Sequence, residues 1–178
     1  MTEQERWELF LDTPLAKVLA ANDGAVKLLR QGFFSAPAST RHHGAYDGGL
    51  FDHSFAVMNF LVDLSAKNNL KWGRPESPFI VGMFHDLCKI DNYRRIEGKP
   101  GEWEHNPDCH LKGHGDKSIM LLSQFITLTE EEILCIRYHM GAFVDEKEWA
   151  NYTSAIHKYP NVLWTHQADM LAAHVLGV

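Results

Sequence analysis

The chain has 178 residues, 45% of them hydrophobic and 22% charged, with a formal net charge of −6. That length suits one domain with a core of its own, and the composition excludes disordered and fibrous classes. The acidic balance argues against non-specific duplex binding, and no apolar run reaches the ~20 residues that span a bilayer.

In chain order the reading is dominated by helices, with no internal repeat or linker. The opening MTEQERWELF lacks the basic and apolar parts of a signal peptide, so a cytoplasmic location is expected. Thr13-Pro14 predicts an N-cap followed by proline at the first helical position, with Leu15, Val18 and Leu19 at helical spacing. Gly24 is expected to break or bend that segment before Val26, Leu28 and Leu29. Residues 33–49, rich in glycine and proline, read as a long ordered loop. The stripe Val57, Phe60, Leu61 and Leu64 predicts a helix over about 52–66, with His53 one turn below Val57. Ser77-Pro78 opens the next helix, whose Ile80, Met83, Phe84 and Leu87 face the core and which carries His85 and Asp86 late in its length.

Periodicity lapses over 91–111, where residues 93–96 and 103–105 around EGKPG predict a short β-hairpin. Helicity returns near His114 and again at Thr129, where Thr129-x-x-Glu132 is a capping box. Asp145 and Asn161 are expected to cap two last helices, the second carrying Val162, Leu163, Met170 and Leu171. The expected fold is all-α: a compact helical bundle with one short hairpin. It forms a single domain, with an N-terminal helical extension over about 1–51 and a core over about 52–178.

Cys88, Cys109 and Cys135 are an odd count without a CxxC pair, so they read as reduced thiols instead of a disulfide frame or a thiolate zinc site. The eleven histidines are the unusual feature, since imidazole is the commonest protein ligand for transition metals. Within FIVGMFHDLCKI, the adjacent His85 and Asp86 are costly to bury unless a cation compensates them. His53 stands on the preceding predicted helix, and Asp169 lies on the last one in LWTHQADMLAA. Three helices can thus each offer a ligand to one point, as bundle-core metal sites do.

GGLFDHS with His53, MFHDLCK with His85 and Asp86, and HQADM with Asp169 resemble the ordered H…HD…D set of the HD-domain metal-dependent phosphohydrolases, over about two thirds of the chain. His114 in LKGHGDKSI and His139 in IRYHMGAF stand where binuclear members of that superfamily place the ligands of a second metal. The pattern is most similar to the HD-type 3′-to-5′ exoribonucleases. Tyr138-His139 departs from their His-His pair, and these residues hold no counterpart of their added nucleic-acid-binding domain. The GYP tripeptide of the cyclic-dinucleotide branch is also absent.

The resemblance implies an HD fold, with His53, His85, Asp86, His114, His139 and Asp169 as metal ligands and Asp86 bridging two ions. It implies hydrolysis of a phosphate ester, in a nucleotide or a short single-stranded oligonucleotide. Two alternatives accompany it: an HD-fold di-iron oxygenase, and a non-catalytic nucleotide-binding HD domain. Imidazole and carboxylate together favour Mn, Fe, Ni, Co or Zn over Mg or Ca, so one or two divalent transition-metal ions are the expected cofactors.

Asp86 and Lys89 are the expected catalytic residues. Lys89, one turn beyond His85, would neutralise charge on phosphoryl oxygens, the competing reading being a solvated helix-end lysine. Arg41, Arg94 and Arg95 are the expected phosphate-binding residues. They lie in the 33–49 and 91–111 segments, which flank ligands in the chain and are expected to face each other across the mouth of the site, together with His42, His43, Tyr46 and Lys99. The alternative is that both segments are ordinary polar connectors. His42, His43, His105, His110, His157, His166 and His174 match no motif position. Among these, His110 competes with His114, and His166 shares a helix face with Asp169.

Overall fold

The computed structural model describes residues 1–19, 21–109, 111 and 113–178, so His110 lies outside the described residues. Its helices are α1 (Glu3–Leu11), α2 (Ala16–Leu19), α3 (Asp23–Gly32), α4 (Gly49–Asn68), α5 (Ser77–Phe84), α6 (Gly115–Leu122), α7 (Glu130–Arg137), α8 (Trp149–Lys158) and α9 (Asn161–Leu171). Strands β1 (Tyr93–Arg95) and β2 (Trp103–His105) form an antiparallel hairpin in which Tyr93 pairs with His105. At 59% helix the fold is mostly α, as expected, and no helix among the described residues is long and apolar enough to cross a membrane.

Several local expectations are corrected by where polar side chains find partners. Helix α1 was not anticipated, although Thr2 and Glu5 form the same reciprocal capping box as Thr129 and Glu132. Thr13 does not open a helix: its hydroxyl donates to Phe10 O at 2.7 Å, closing α1, and α2 is a single turn. Gly24 does not break the chain, because Asn22 caps α3 and accepts its N–H at 3.0 Å. Helix α5 ends at Phe84, leaving His85 as its C-cap and Asp86 in the bend before a short 3-10 turn, Leu87–Ile90. Asp145 caps the short 3-10 turn Glu146–Glu148 that leads into α8. Asn161 starts α9 but caps nothing, since its amide donates to Lys71 O and Glu131 Oε1 at 2.7 and 2.8 Å.

The N-terminal helices are part of the core. Phe10, Leu19, Leu29 and Phe33 pack in one apolar cluster with Phe51, Leu61 and Phe84 of α4 and α5. Buried Arg6 of α1 forms a two-pronged ion pair with Asp52 at 2.8 Å, next to His53 in the chain.

Two glycines set the helix crossings that matter for the histidines. A Cβ on Gly82 of α5 would sit 2.4 Å from the Met58 Cα of α4, so only glycine permits this approach. A Cβ on Gly115 of α6 would sit 2.5 Å from the Arg137 Cα of α7. The first crossing brings His53 beside His85, and the second brings His114 beside His139. The 91–111 segment is tied to α6 by buried Lys117, which donates to Asp91, to Asn92 Oδ1 at 2.8 Å and to Cys109 Sγ at 3.1 Å.

Candidate metal centre

His53 comes from the second turn of α4, and His85, Asp86 and Lys89 from the turn after α5. His114 immediately precedes α6, His139 lies just beyond α7, and Asp169 belongs to α9. His53 Nε2 is 3.2 Å from both His85 Nε2 and Asp169 Oδ1. Asp86 stands between two groups of imidazoles. Its Oδ2 lies 3.7 Å from His53 and 3.6 Å from His85, while its Oδ1 lies 3.5 Å from His139 and 3.8 Å from His114. The structure therefore brings together all six side chains named as ligands from the sequence.

Three of the imidazoles are held by main-chain oxygens. His85 donates from Nδ1 to Gly82 O at 2.9 Å, His139 to Ile136 O at 2.7 Å, and His53 to Val178 O at 2.9 Å. A carbonyl oxygen only accepts, so each Nδ1 carries the proton and each Nε2 is turned toward the carboxylates. This is the arrangement by which histidine ligands are oriented for a metal.

The electrostatics favour a cation. Burial alone would raise the Asp86 carboxyl, but Lys89 and the imidazoles of His85, His114 and His139 hold it well below the usual carboxylate range. Asp169 is likewise depressed against its burial, chiefly by the close approach of His53. Burial works against the Lys89 ammonium too, yet Asp86 keeps it charged, at 2.6 Å from Oδ2. Burial outweighs the pull of Asp86 at His85 and pushes that imidazole down to about 4, so it is neutral at pH 7. Two carboxylates thus face one ammonium in a largely buried place.

The donor set fits a divalent transition ion. Asp86 Oδ1 and His139 Nε2 are buried without a hydrogen-bond partner, a costly condition that a shared cation relieves. Donors bound at ~2.1 Å and mutually separated by tetrahedral or octahedral angles lie ~3.0–3.4 Å apart, as the 3.2 Å separations around His53 do.

A cavity of 130 Å³ opens onto this cluster, lined by Asp86, Lys89, His114 and Asp169 together with His43, His166, His174, Met140, Phe143 and Met170. Lys89 is buried and is not a solvated helix-end residue. Arg41 is exposed, Arg94 pairs with Glu104 at 2.8 Å, and Arg95 pairs with Asp47 at 2.8 Å while stacking on Trp103. None of the three is among the described residues that line the cavity, because surface carboxylates hold the two hairpin guanidiniums. The 33–49 loop and the hairpin do meet, through Asp47, which also accepts from Trp103 Nε1 at 3.0 Å.

Residues outside the motif positions complete the lining. His43 lies with its ring centroid 4.9 Å from that of His53, and burial with the nearby His53 pushes it down to about 4. His166 donates from Nδ1 to His139 O at 2.8 Å and packs on Gly141, where a Cβ would come within 2.6 Å of its ring. The spacing of His166 and Asp169 on one helix face places His166 near the site, and its observed partner is His139 O. His43, expected at the mouth with the 33–49 segment, lines the cavity, whereas nothing in the sequence pattern signals His174. Comparisons with protein-family models, with curated proteins and with solved structures return no match to this chain.

Proposed function

We propose that this protein is a metal-dependent phosphohydrolase of the HD type. The observation that carries the reading is the meeting of His53, His85, Asp86, His139 and Asp169 in a buried cluster, with Asp86 Oδ1 and His139 Nε2 left unpartnered. His53, His85, Asp86 and Asp169 would hold one ion, and Asp86, His114 and His139 a second. A divalent cation bound there supplies Lewis acidity toward water and a phosphoryl oxygen.

The protein's own groups account for the rest. Lys89 faces the cavity from beside Asp86 and offsets negative charge gathering on the substrate's phosphoryl oxygens. Met140, Phe143 and Met170 give the cavity an apolar wall that limits water around the reacting group. At 130 Å³ the cavity is smaller than a site for a whole drug-sized ligand, so it takes a phosphoryl group and little more. His114 also lines a second cavity of 410 Å³ with Asn92, His105 and Asn106, whose amides and imidazole suit the base and sugar of a nucleotide. Free cysteines agree with a reducing, cytoplasmic setting.

The test is to strip the protein, reload it with Mn, Co, Ni, Zn or Fe, and assay release of phosphate or nitrophenol. Substrates are nucleoside monophosphates, short RNA, and chromogenic phosphomonoesters and phosphodiesters. Hydrolysis by the loaded wild type and its loss in Asp86→Ala are expected. A fully loaded protein that hydrolyses none of these, or an iron-loaded one that consumes dioxygen instead, overturns the reading.

A further inference from the structure

Cys88 lies two residues beyond Asp86, and its Sγ stands 3.8 Å from His114 Nδ1. The same nitrogen stands 3.8 Å from Asp86 Oδ1, and one ligand atom from each of the three residues lies within 4.8 Å of the others. His139 Nε2 approaches that same oxygen at 3.5 Å. We propose that Cys88 is a thiolate ligand of the cation held by Asp86, His114 and His139. This rests on the reading that the histidine-aspartate cluster binds metal, and it assigns that second position a sulfur donor which the position at His53 and His85 lacks.

Three separations among these donors suit a small tetrahedral site. Nitrogen and oxygen at ~2.0 Å with sulfur at ~2.3 Å from one ion place neighbouring donors ~3.3–3.6 Å apart, close to the 3.5 Å between Asp86 and His139 and the 3.8 Å of His114 from Asp86 and from Cys88. Two of the donors, Asp86 Oδ1 and His139 Nε2, are buried and have no other partner.

Cys88 is also unlike the other buried cysteine. Cys135 belongs to the apolar core cluster, whereas Cys88, equally inaccessible, is outside that cluster among the described residues and turns its sulfur toward an imidazole. Its backbone N–H is fixed by Ser118 Oγ of α6 at 3.0 Å, which holds the sulfur beside the helix that His114 precedes. Coordination exchanges the thiol proton for the metal, and the proton leaves to solvent. A thiolate at one position and only nitrogen and oxygen at the other makes the two sites differ in preference, with Zn or Co drawn to the sulfur side and Mn tolerated on the other.

Cobalt(II) titration of metal-stripped, full-length protein reads the sulfur directly. Visible d–d absorption reports cobalt uptake, and a near-ultraviolet sulfur-to-cobalt charge-transfer band reports a thiolate ligand. Wild type is expected to show the band by two cobalt ions per chain, and Cys109→Ser to keep it. Cys88→Ser is expected to retain d–d absorption, lose the band and bind the second cobalt at least about tenfold more weakly. Cobalt uptake by wild type without the band overturns the sulfur assignment and leaves the metal centre standing. The band persisting in Cys88→Ser does the same. No cobalt uptake at all overturns both. Should Cys88→Ser fail to fold, the wild-type and Cys109→Ser spectra still decide, because Cys135 lies in the apolar core.

Discussion

The Lys89 ammonium sits 2.6 Å from Asp86 Oδ2, with both side chains buried. Removing one member of such a pair strands the other, at a cost of about 3–5 kcal/mol. Lys89→Met is therefore expected to lower the stability of the metal-stripped protein by that order, and added Zn or Mn to restore most of it by taking over the charge of Asp86. With metal bound, turnover should fall about 10²-fold. Thermal melts with and without metal, beside elemental analysis, check both parts. A melting temperature unaltered by the substitution contradicts them.

Asp86 is the shared neighbour of both imidazole groups, so Asp86→Ala should leave less than one ion per chain. His114→Ala or His139→Ala should remove mainly the second ion. Elemental analysis after loading and desalting measures this directly, and full occupancy in Asp86→Ala contradicts the assignment.

The two glycine crossings should be separable. Gly82→Ala is expected to force α4 and α5 apart, to cost about 1–3 kcal/mol, and to weaken the ion held by His53 and His85. Gly115→Ala should cost a similar amount through α6 and α7 but weaken only the ion near His114 and His139. Metal titrations of the two variants giving the same pattern of loss contradict this division.

Acid should destabilise the metal-stripped protein well above the carboxylate range. His85 titrates at about 4 when folded and near ~6.5 when unfolded, so below pH ~6.5 the unfolded chain binds the extra proton. The contribution of His85 is then complete above that pH and declines as the pH falls toward 4, by roughly 3 kcal/mol, with His43 acting in the same window and direction. The depressed Asp86 and Asp169 act in the same direction, but only below about pH 4. Urea midpoints at pH 7.5, 6 and 5 should fall in that order, with a shallower decline in His85→Asn. A flat series in wild type contradicts the burial of a neutral His85.

What was legible in the sequence is what chemistry restricts to few residue types. Glu132 three residues after Thr129 signals a helix start, and a buried His85-Asp86 pair demands compensation. The long-range partners were not legible. Arg94 and Arg95 look free in sequence because Glu104 and Asp47 meet them only once the hairpin and loop have folded. Cys88 looked like an isolated thiol because its neighbour His114 is 26 residues away. The start of α4 at Gly49, not at 52, reflects a left-handed Gly48 (φ +82°) packed under the Arg6 guanidinium, a contact made by another helix.

The main-chain anchors of the three buried histidines also set an order of assembly. His85 and His139 each bond an oxygen three residues back, so their orientation comes with the last turn of their own helices. His53 depends on Val178 O, 125 residues later, and its neighbour Asp169 arrives on α9. During synthesis, two imidazoles are aimed early, while the third waits for α9 and the residues after it to dock. Contacts this distant in sequence close last because their loop entropy must be overcome first. A nascent chain therefore lacks the complete set of donors until α9 docks, which makes cation uptake by the full cluster a closing step of folding and not a template for it.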